Sequence, residues 1–330
     1  MRLQEKIETI WYASDCGKKS SLLYPLSYIY ACEARRRRKR FLESPPSNWP
    51  VPVIVIGNIT VGGTGKTPMV IWLVNWLRQK GWRPGVISRG YRGRKSHSRP
   101  IAITADDDPF EVGDETHLIA RQTDAPVIIC RDRSSAVRLL LQTTQCDIVV
   151  SDDGLQHYGL YRDIEIAMLD GTRRLGNGYC LPAGPLREPP ARLLETDYVL
   201  VTDGDPEPGE YRISLNIKSA YRVASQRQEL RSLFQFKGRQ VHAVAGIGHP
   251  ERFFIALENA GLDIIRHPLP DHHQIQSSDI AFGDDRDILI TEKDAVKCQS
   301  FASDLVWSVP AEVAPDPCWI DSFNKRLGSL

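Results

Sequence analysis

The sequence predicts an α/β fold: a mostly parallel sheet flanked by helices, with a second, smaller α/β domain behind it and an N-terminal amphipathic helical segment in front. Two observations carry the first part. Short β-branched runs, Val53 to Ile56 with Gly57, Val127 to Cys130, Cys146 to Ser151 and Ile164 to Leu169, alternate with stretches of helical periodicity, the pattern of βαβ units with right-handed crossovers. The first run passes straight into the Gly-rich segment Gly62-Gly63-Thr64-Gly65-Lys66-Thr67, so the sheet is expected to be of the phosphate-loop (P-loop NTPase) type. A third observation carries the second domain: composition shifts to Asp, Pro and Gly between Asp203 and Glu210, after which strand and helix signals resume.

Composition bounds the reading. With 330 residues, 42% hydrophobic and 25% charged, the chain has the profile of a soluble globular protein long enough for two domains. A net charge of +1 argues against a nucleic-acid partner. The seven cysteines are odd in number, scattered and without a C-x-x-C pair, which suits reduced thiols rather than disulfides or zinc. Neither a signal peptide nor an apolar run of spanning length, about 18 residues, is expected.

Residues 1–50 read as a separate segment. Ile7, Ile10, Trp11, Leu22, Leu23, Tyr24, Leu26, Tyr28, Ile29 and Tyr30 supply apolar bulk, and Arg35 to Arg40 (RRRRKR) set six basic side chains in a row. Three readings are open: contact with an anionic membrane surface, a helix packed on the main domain, or a basic face that binds an anionic substrate. Pro45, Pro46, Pro50 and Pro52 then end any helix and lead into the first strand.

The core domain is expected over residues 51–210. Glycines 62, 63 and 65 leave backbone N–H groups free to converge on phosphate oxygens, Lys66 can reach the β/γ-phosphates, and Thr67 can offer a hydroxyl to Mg²⁺ at the start of a helix running to about Lys80. Thr60 stands where the strict motif has Gly. A strand from Pro84 to Ser88 ends in Arg89-Gly90-Tyr91-Arg92, where open α/β sheets bind ligands, so Arg89 and Arg92 are phosphate-holding candidates or ordinary surface arginines. A helix is expected after Gly113-Asp114-Glu115 and through Arg121, Asp132 should cap the helix over SSAVRLLLQ, and the Cys146–Ser151 strand ends in Asp152-Asp153. Such a pair at a strand end suits Mg²⁺ beside a phosphate loop, a plain acidic turn being the alternative. The loop Asn177 to Pro190, carrying Arg187 and Glu188, is too long for a mere connector, and Tyr198 to Thr202 closes the strand set.

The smaller domain, 211–330, should contain strands at Val241–Ala245, Asp263–Arg266, Ile288–Thr291 and Leu305–Val309, with a helix from Pro250 to Ala260. Leu269-Pro270-Asp271-His272-His273 lies among them, and Thr291-Glu292-Lys293-Asp294-Ala295-Val296-Lys297 sits at a strand end.

The segments GNITVGGTGKTP, ISRGY, VGDE, SDDGLQH, LPAGPLRE, PDHH and TEKDAVK, in that order from Gly57 to Lys297, closely resemble the lipid A 4'-kinase (tetraacyldisaccharide 4'-kinase) family. The resemblance spans nearly the whole chain. It implies transfer of the ATP γ-phosphate to the 4'-hydroxyl of a tetraacylated glucosamine disaccharide 1-phosphate, giving lipid IVA, at the cytoplasmic face of the inner membrane, with peripheral or monotopic attachment. It implies two domains that close over the nucleotide. Carried onto matching positions, it makes Asp114 the base that deprotonates the sugar hydroxyl, His272 its partner, Lys66 and Asp153 further catalytic groups, Thr67, Asp152 and Asp153 the Mg²⁺ site, and Arg89 and Arg187 substrate-binding residues. Thr116 stands where the family often has Pro, and the choice of His272 over His273 follows motif position. Two other function classes fit parts of the pattern: a P-loop nucleotide switch acting on a protein partner, which needs no base at Asp114, and a soluble small-molecule kinase, which leaves the N-terminus without a purpose.

Overall fold

The computed structural model describes residues 10–12, 21–91, 93, 98–225, 229–271 and 273–330. Arg92 and His272 lie outside the described residues.

Two sheets organise the molecule. Strands β1 (Val53–Gly57), β2 (Pro84–Ser88), β3 (Ile101–Ile103), β4 (Val127–Ile129), β5 (Ile148–Asp152), β6 (Ile164–Asp170), β7 (Tyr198–Thr202) and β8 (Glu210–Asn216) enter the larger one. Strands β9 (Ser219–Arg222), β10 (Leu230–Ser232), β11 (Gln240–Ala245), β12 (Asp263–Pro268), β13 (Ile288–Thr291) and β14 (Val306–Val309) form the smaller one, and β15 (Glu312–Pro315) returns to the larger. Among the described residues the larger sheet has the order β15-β8-β7-β6-β1-β5-β2-β4-β3, parallel except for the two edge pairs β15/β8 and β3/β4. The smaller runs β10-β9-β14-β13-β11-β12, parallel from β14 to β12.

The central strands are apolar runs because both faces are covered: β1, β2, β5 and β6 are buried along their whole length. On one face Ile54 and Ile56 pack with Met69, Leu73 and Leu77 of the helix Lys66–Gln79. Val53, Val55, Ile87 and Leu140 fill the other. Parallel pairing of β1 with β5 sets Ile56 beside Asp152, so the loop after β1 and the acidic pair after β5 emerge side by side at the carboxyl edge. With β5 lying between β1 and β2, this edge is where such sheets form a ligand crevice.

The connections between the sheets are strands themselves. β8 leads out, and β15 comes back antiparallel to it. The C-terminal helix Pro317–Leu327 then packs Trp319 and Phe323 against Trp72 and Trp76, with ring centroids 5.7 Å apart for both Trp72–Trp319 and Trp76–Phe323. The sequence reading did not include β3, β8, β9, β10, β15 or this last helix. All five strands have three to seven residues with partly exposed faces, so they lack the continuous apolar run that marks the central strands.

The N-terminal segment forms the helix Tyr24–Glu43. Its apolar and basic residues separate along the axis: Leu22, Leu26, Tyr28 and Ile29 stand exposed at one end and the arginine run at the other. The run is not a uniform basic face. Arg38 turns inward, its side chain 12% exposed, bonding Glu195 at 2.7 Å and reaching Glu165 at 3.7 Å. Ser27 fastens the helix a second time by donating to the Cys180 carbonyl at 2.7 Å. Among the described residues no helix is long and apolar enough to cross a membrane.

Candidate active site

The loop after β1 owes its shape to glycines. Gly62 and Gly65 have φ of 116° and 81°, conformations that side chains with a Cβ resist, and Gly65 in the left-handed region directly precedes the helix at Lys66. Around Gly63 an added Cβ would meet nothing within 4 Å, so the loop is uncrowded on that side. Thr60, in place of the motif glycine, is buried and bridges to Leu186. The loop Asn177–Pro190 is thereby docked on the phosphate loop: Val61 N donates to Pro185 O at 2.8 Å, and Arg187 N to Ile59 O at 2.6 Å. This docking is what aims Arg187 into the site.

Lys66 donates to Asn58 Oδ1 at 3.2 Å and lies 3.6 Å from Asp153. Arg187 holds the same Asp153 carboxylate from the other side, at 3.1 and 3.0 Å. Asp153 sits at φ 48°, a strained backbone state for a non-glycine, which the two cations help to fix. Burial pushes its pKa up, but Lys66 and Arg187 overcome that and hold it at about 2. Asp152 has the opposite surroundings. Burial first, then Glu115 and Asp153, push it up to about 7. Ser88 donates to its Oδ2 at 3.0 Å, whereas its buried Oδ1 has no hydrogen-bond partner.

Asp114 opens the helix Asp114–Thr123 behind Gly113, whose φ of 94° and close approach to Tyr91 O tie the helix start to the Ser88–Tyr91 turn. It is 9% exposed. Its Oδ1 accepts the Glu115 amide at 2.9 Å, and Lys297 stands 3.7 Å from Oδ2. Arg89 is exposed at the mouth of the same turn. Thr67 stands in the first turn of its helix, and Thr64 is buried with an unpartnered hydroxyl. From the smaller sheet, the segment after β11 covers the loop so closely that a methyl group on Gly248 would lie 3.6 Å from the Gly63 amide nitrogen. His273 bonds Asp279 at 2.8 Å.

The structure thus brings together Lys66, Thr67, Asp152, Asp153 and Arg187, and sets Asp114 beside the adjoining turn. It also adds residues the sequence reading had passed over. Arg133 is buried and donates to the Cys130 and Asp152 carbonyls at 2.9 and 3.2 Å, bracing the strand end that carries the acidic pair. Asn58 braces Lys66, and Gln156 ties Asn58 O to Glu188, both at 3.0 Å. An Arg just inside a helix gives no sequence signal of this kind, whereas Gln156 lay within SDDGLQH and was given no role.

Comparison with known proteins agrees with this geometry. The family model for tetraacyldisaccharide-1-P 4'-kinase (LpxK) matches residues 19–328. The tetraacyldisaccharide 4'-kinase of Nitrosococcus oceani is 47% identical over 322 residues, 97% of this chain and 92% of that one. That of Methylobacillus flagellatus is 47% identical over 329 residues, covering 98% and 96%. Among solved structures, an "apo"-form LpxK from Aquifex aeolicus in complex with ATP has a TM-score of 0.78 at 27% identity, covering 93% of this chain and 99% of its own.

Proposed function

This chain belongs to the tetraacyldisaccharide 4'-kinase family, and from that premise we propose how its residues carry out the transfer. The reaction is ATP-dependent phosphorylation of the 4'-hydroxyl of tetraacyldisaccharide 1-phosphate, a step of lipid A biosynthesis that yields lipid IVA. Family membership removes the nucleotide-switch alternative.

The observation that carries the mechanism is the Lys66–Asp153–Arg187 cluster at the edge of β1 and β5. The amides of the loop Gly62–Gly65 and the Lys66 ammonium receive the β- and γ-phosphates. Asp114 takes the proton from the 4'-hydroxyl as that oxygen attacks the γ-phosphorus and the bond to the β-phosphate oxygen breaks, releasing ADP. Arg187 and Arg89 hold substrate phosphate charge, and His272 assists Asp114. The donor set fits Mg²⁺, which takes few protein ligands beside phosphate oxygens: Asp152 with its unpartnered buried Oδ1, Asp153 and the Thr67 hydroxyl would hold it. When bound, the ion neutralises charge developing between the β- and γ-phosphates.

We further assign residues 51–210 as the kinase core, joined by the C-terminal helix Pro317–Leu327 that packs on Trp72 and Trp76, and the part of 211–330 between the paired linkers β8 and β15 as the smaller domain that closes over the nucleotide. The N-terminal segment, 1–50, sets the enzyme on the cytoplasmic face of the inner membrane as a peripheral or monotopic protein. Its exposed Leu22, Leu26, Tyr28 and Ile29, together with the basic run farther along the same segment, support this, and a substrate with four acyl chains does not leave the bilayer cheaply.

The test is transfer of phosphate from radiolabelled ATP to detergent-dispersed tetraacyldisaccharide 1-phosphate by wild type and Asp114→Ala. Labelled lipid from wild type, with a loss of about 10²-fold or more in a variant that still binds ATP, is expected for removal of a general base. A variant that keeps wild-type turnover would refute the role given to Asp114.

A further inference from the structure

The segment Thr291–Lys297 is unused by the mechanism above, yet it lies against the residue proposed as the base. Its helix, Glu292–Cys298, follows β13 in the smaller sheet and packs on the helix Asp114–Thr123 of the larger unit. Gln122 donates to Glu292 at 2.6 Å and Arg121 to Gln299 at 2.5 Å, one contact at each end of the short helix. Lys293 and Lys297, one turn apart, share a face. Lys293 bonds Glu115 at 3.0 Å and lies 3.6 Å from Asp271. Lys297 lies 2.8 Å from Asp294 and 3.7 Å from Asp114.

The pair Asp294–Lys297 is deeply placed, with side chains 0% and 4% exposed. Asp294 is fully engaged: beyond Lys297 it accepts from Gly246 N at 2.8 Å and from the Thr291 hydroxyl at 2.7 Å. Gly246 begins the segment whose Gly248 lies on the phosphate loop. One buried carboxylate therefore joins the cover of the phosphate loop to an ammonium aimed at Asp114. As a stabilising device this is inefficient, because a buried ion pair gives little over an apolar pair of the same volume. As a device for direction it is effective, since the carboxylate that anchors the ammonium is itself fixed by the Gly246 amide and the Thr291 hydroxyl.

We propose that Lys297, anchored by Asp294, is a positioning residue for the transfer reaction: it orients the Asp114 carboxylate across the junction of the two sheets, so that the base is aligned when the segment Gly246–Gly248 lies on the phosphate loop. The inference rests on the assignment of Asp114 as base. Misplacing a reacting group by an ångström costs up to about 100-fold in rate, and loss of Lys297 acts at that scale while leaving the nucleotide contacts in place.

The experiment compares wild type, Asp114→Asn, Lys297→Met, Lys297→Arg and the double variant Asp294→Asn/Lys297→Met, which removes both charges together and so avoids stranding a buried carboxylate. For each, lipid phosphorylation gives kcat and the KM for ATP, direct titration gives ATP affinity, and thermal melting reports folding. The expected result is a fall in kcat of about 10- to 100-fold in the folded double variant, with KM and affinity for ATP within about twofold of wild type and partial recovery in Lys297→Arg. A folded double variant with more than half of wild-type kcat overturns the inference, as does a loss of activity that only follows melting. Asp114→Asn separates the two claims. If it is as active as wild type, the base assignment fails; if it is inactive while Lys297→Met and the double variant are fully active, the positioning role alone fails.

Discussion

Two arginines three residues apart in the basic run do different work. Arg38 is 12% exposed, bonds Glu195 at 2.7 Å, and lies over the rings of Phe41 and Tyr158 at 5.3 and 5.7 Å. Arg35, in the same helix, is exposed. Replacing Arg38 with Ala removes a half-exposed ion pair, about 0.5 kcal/mol, and partly desolvated cation–π contacts of about 1 kcal/mol. Glu165 is not stranded, because Arg192 and Arg162 still hold it at 2.6 and 3.1 Å. The sum, about 1.5 kcal/mol, makes opening of the helix roughly tenfold more frequent. Arg35→Ala removes no such anchor, but it takes away a charge worth about 1 kcal/mol at an anionic surface, a roughly fivefold weaker partition. Sedimentation with vesicles containing an anionic lipid, paired with hydrogen exchange over residues 24–43, reads the two effects separately. The expected pattern is crossed: faster exchange with the first variant, weaker binding with the second. Equal loss of vesicle binding in both, with unchanged exchange, would refute the inward role of Arg38.

Three further outcomes follow from the structure. Lys66→Met, which removes the ammonium between Asn58 and Asp153, should lower kcat by about 10²-fold or more in phosphate transfer, and calorimetry should show a lower melting temperature because Asp153 loses one of its two cations. His157, half-buried and facing Arg133 and Arg162, has its pKa pulled down to about 4 by desolvation first and those two cations next. Its neutral form belongs to the folded state, so the stability it contributes is complete above pH 6.5 and is lost as pH falls from there toward 4. The ceiling is about 3 kcal/mol, and solvent screening of the partly exposed ring lowers it to about half. Urea midpoints for His157→Gln should therefore decline less than wild type between pH 7 and 4.5, and an equal decline would count against the burial argument. Finally, burial pushes the Cys298 thiol up to about 12, whereas Cys318 is exposed. Peptide mapping after brief alkylation should find Cys318 modified in the native protein and Cys298 only after unfolding.

What could be read from the sequence follows the strength of its local signals. The strands beneath the site, Val53–Gly57 and Ile148–Asp152, were legible because burial on both faces demands an unbroken β-branched run. The phosphate loop was legible because its glycines answer a backbone requirement that no other residue meets at φ 116° and 81°. The paired linker strands were not. Glu210–Asn216 and Glu312–Pro315 are nearly a hundred residues apart, each partly exposed, and only their pairing makes either one a strand. Of the site, the residues proposed to hold phosphate and metal are confined to a few chemical types, so Lys66, Thr67, Asp152 and Asp153 could be picked out by type and spacing.

The supporting residues obey no such restriction, and this explains where the sequence reading stopped. Arg38 and Arg35 are chemically identical neighbours in one run; what separates them is that Glu165 and Glu195, more than a hundred residues away, lie beneath one and not the other. Arg133 could as well have been a helix-surface charge, and becomes a brace only because the Cys130 and Asp152 carbonyls converge on it. The same holds for Lys297, whose place 3.7 Å from Asp114 depends on the packing of two helices from different sheets. A ligand dictates residue type at the position it touches, and that leaves a local trace. A partner within the fold dictates only that some group of the right charge and reach arrives, and many positions can supply it. The chemistry of the site is therefore written in short motifs, whereas the control of its geometry is distributed over contacts that exist only once the two sheets have come together.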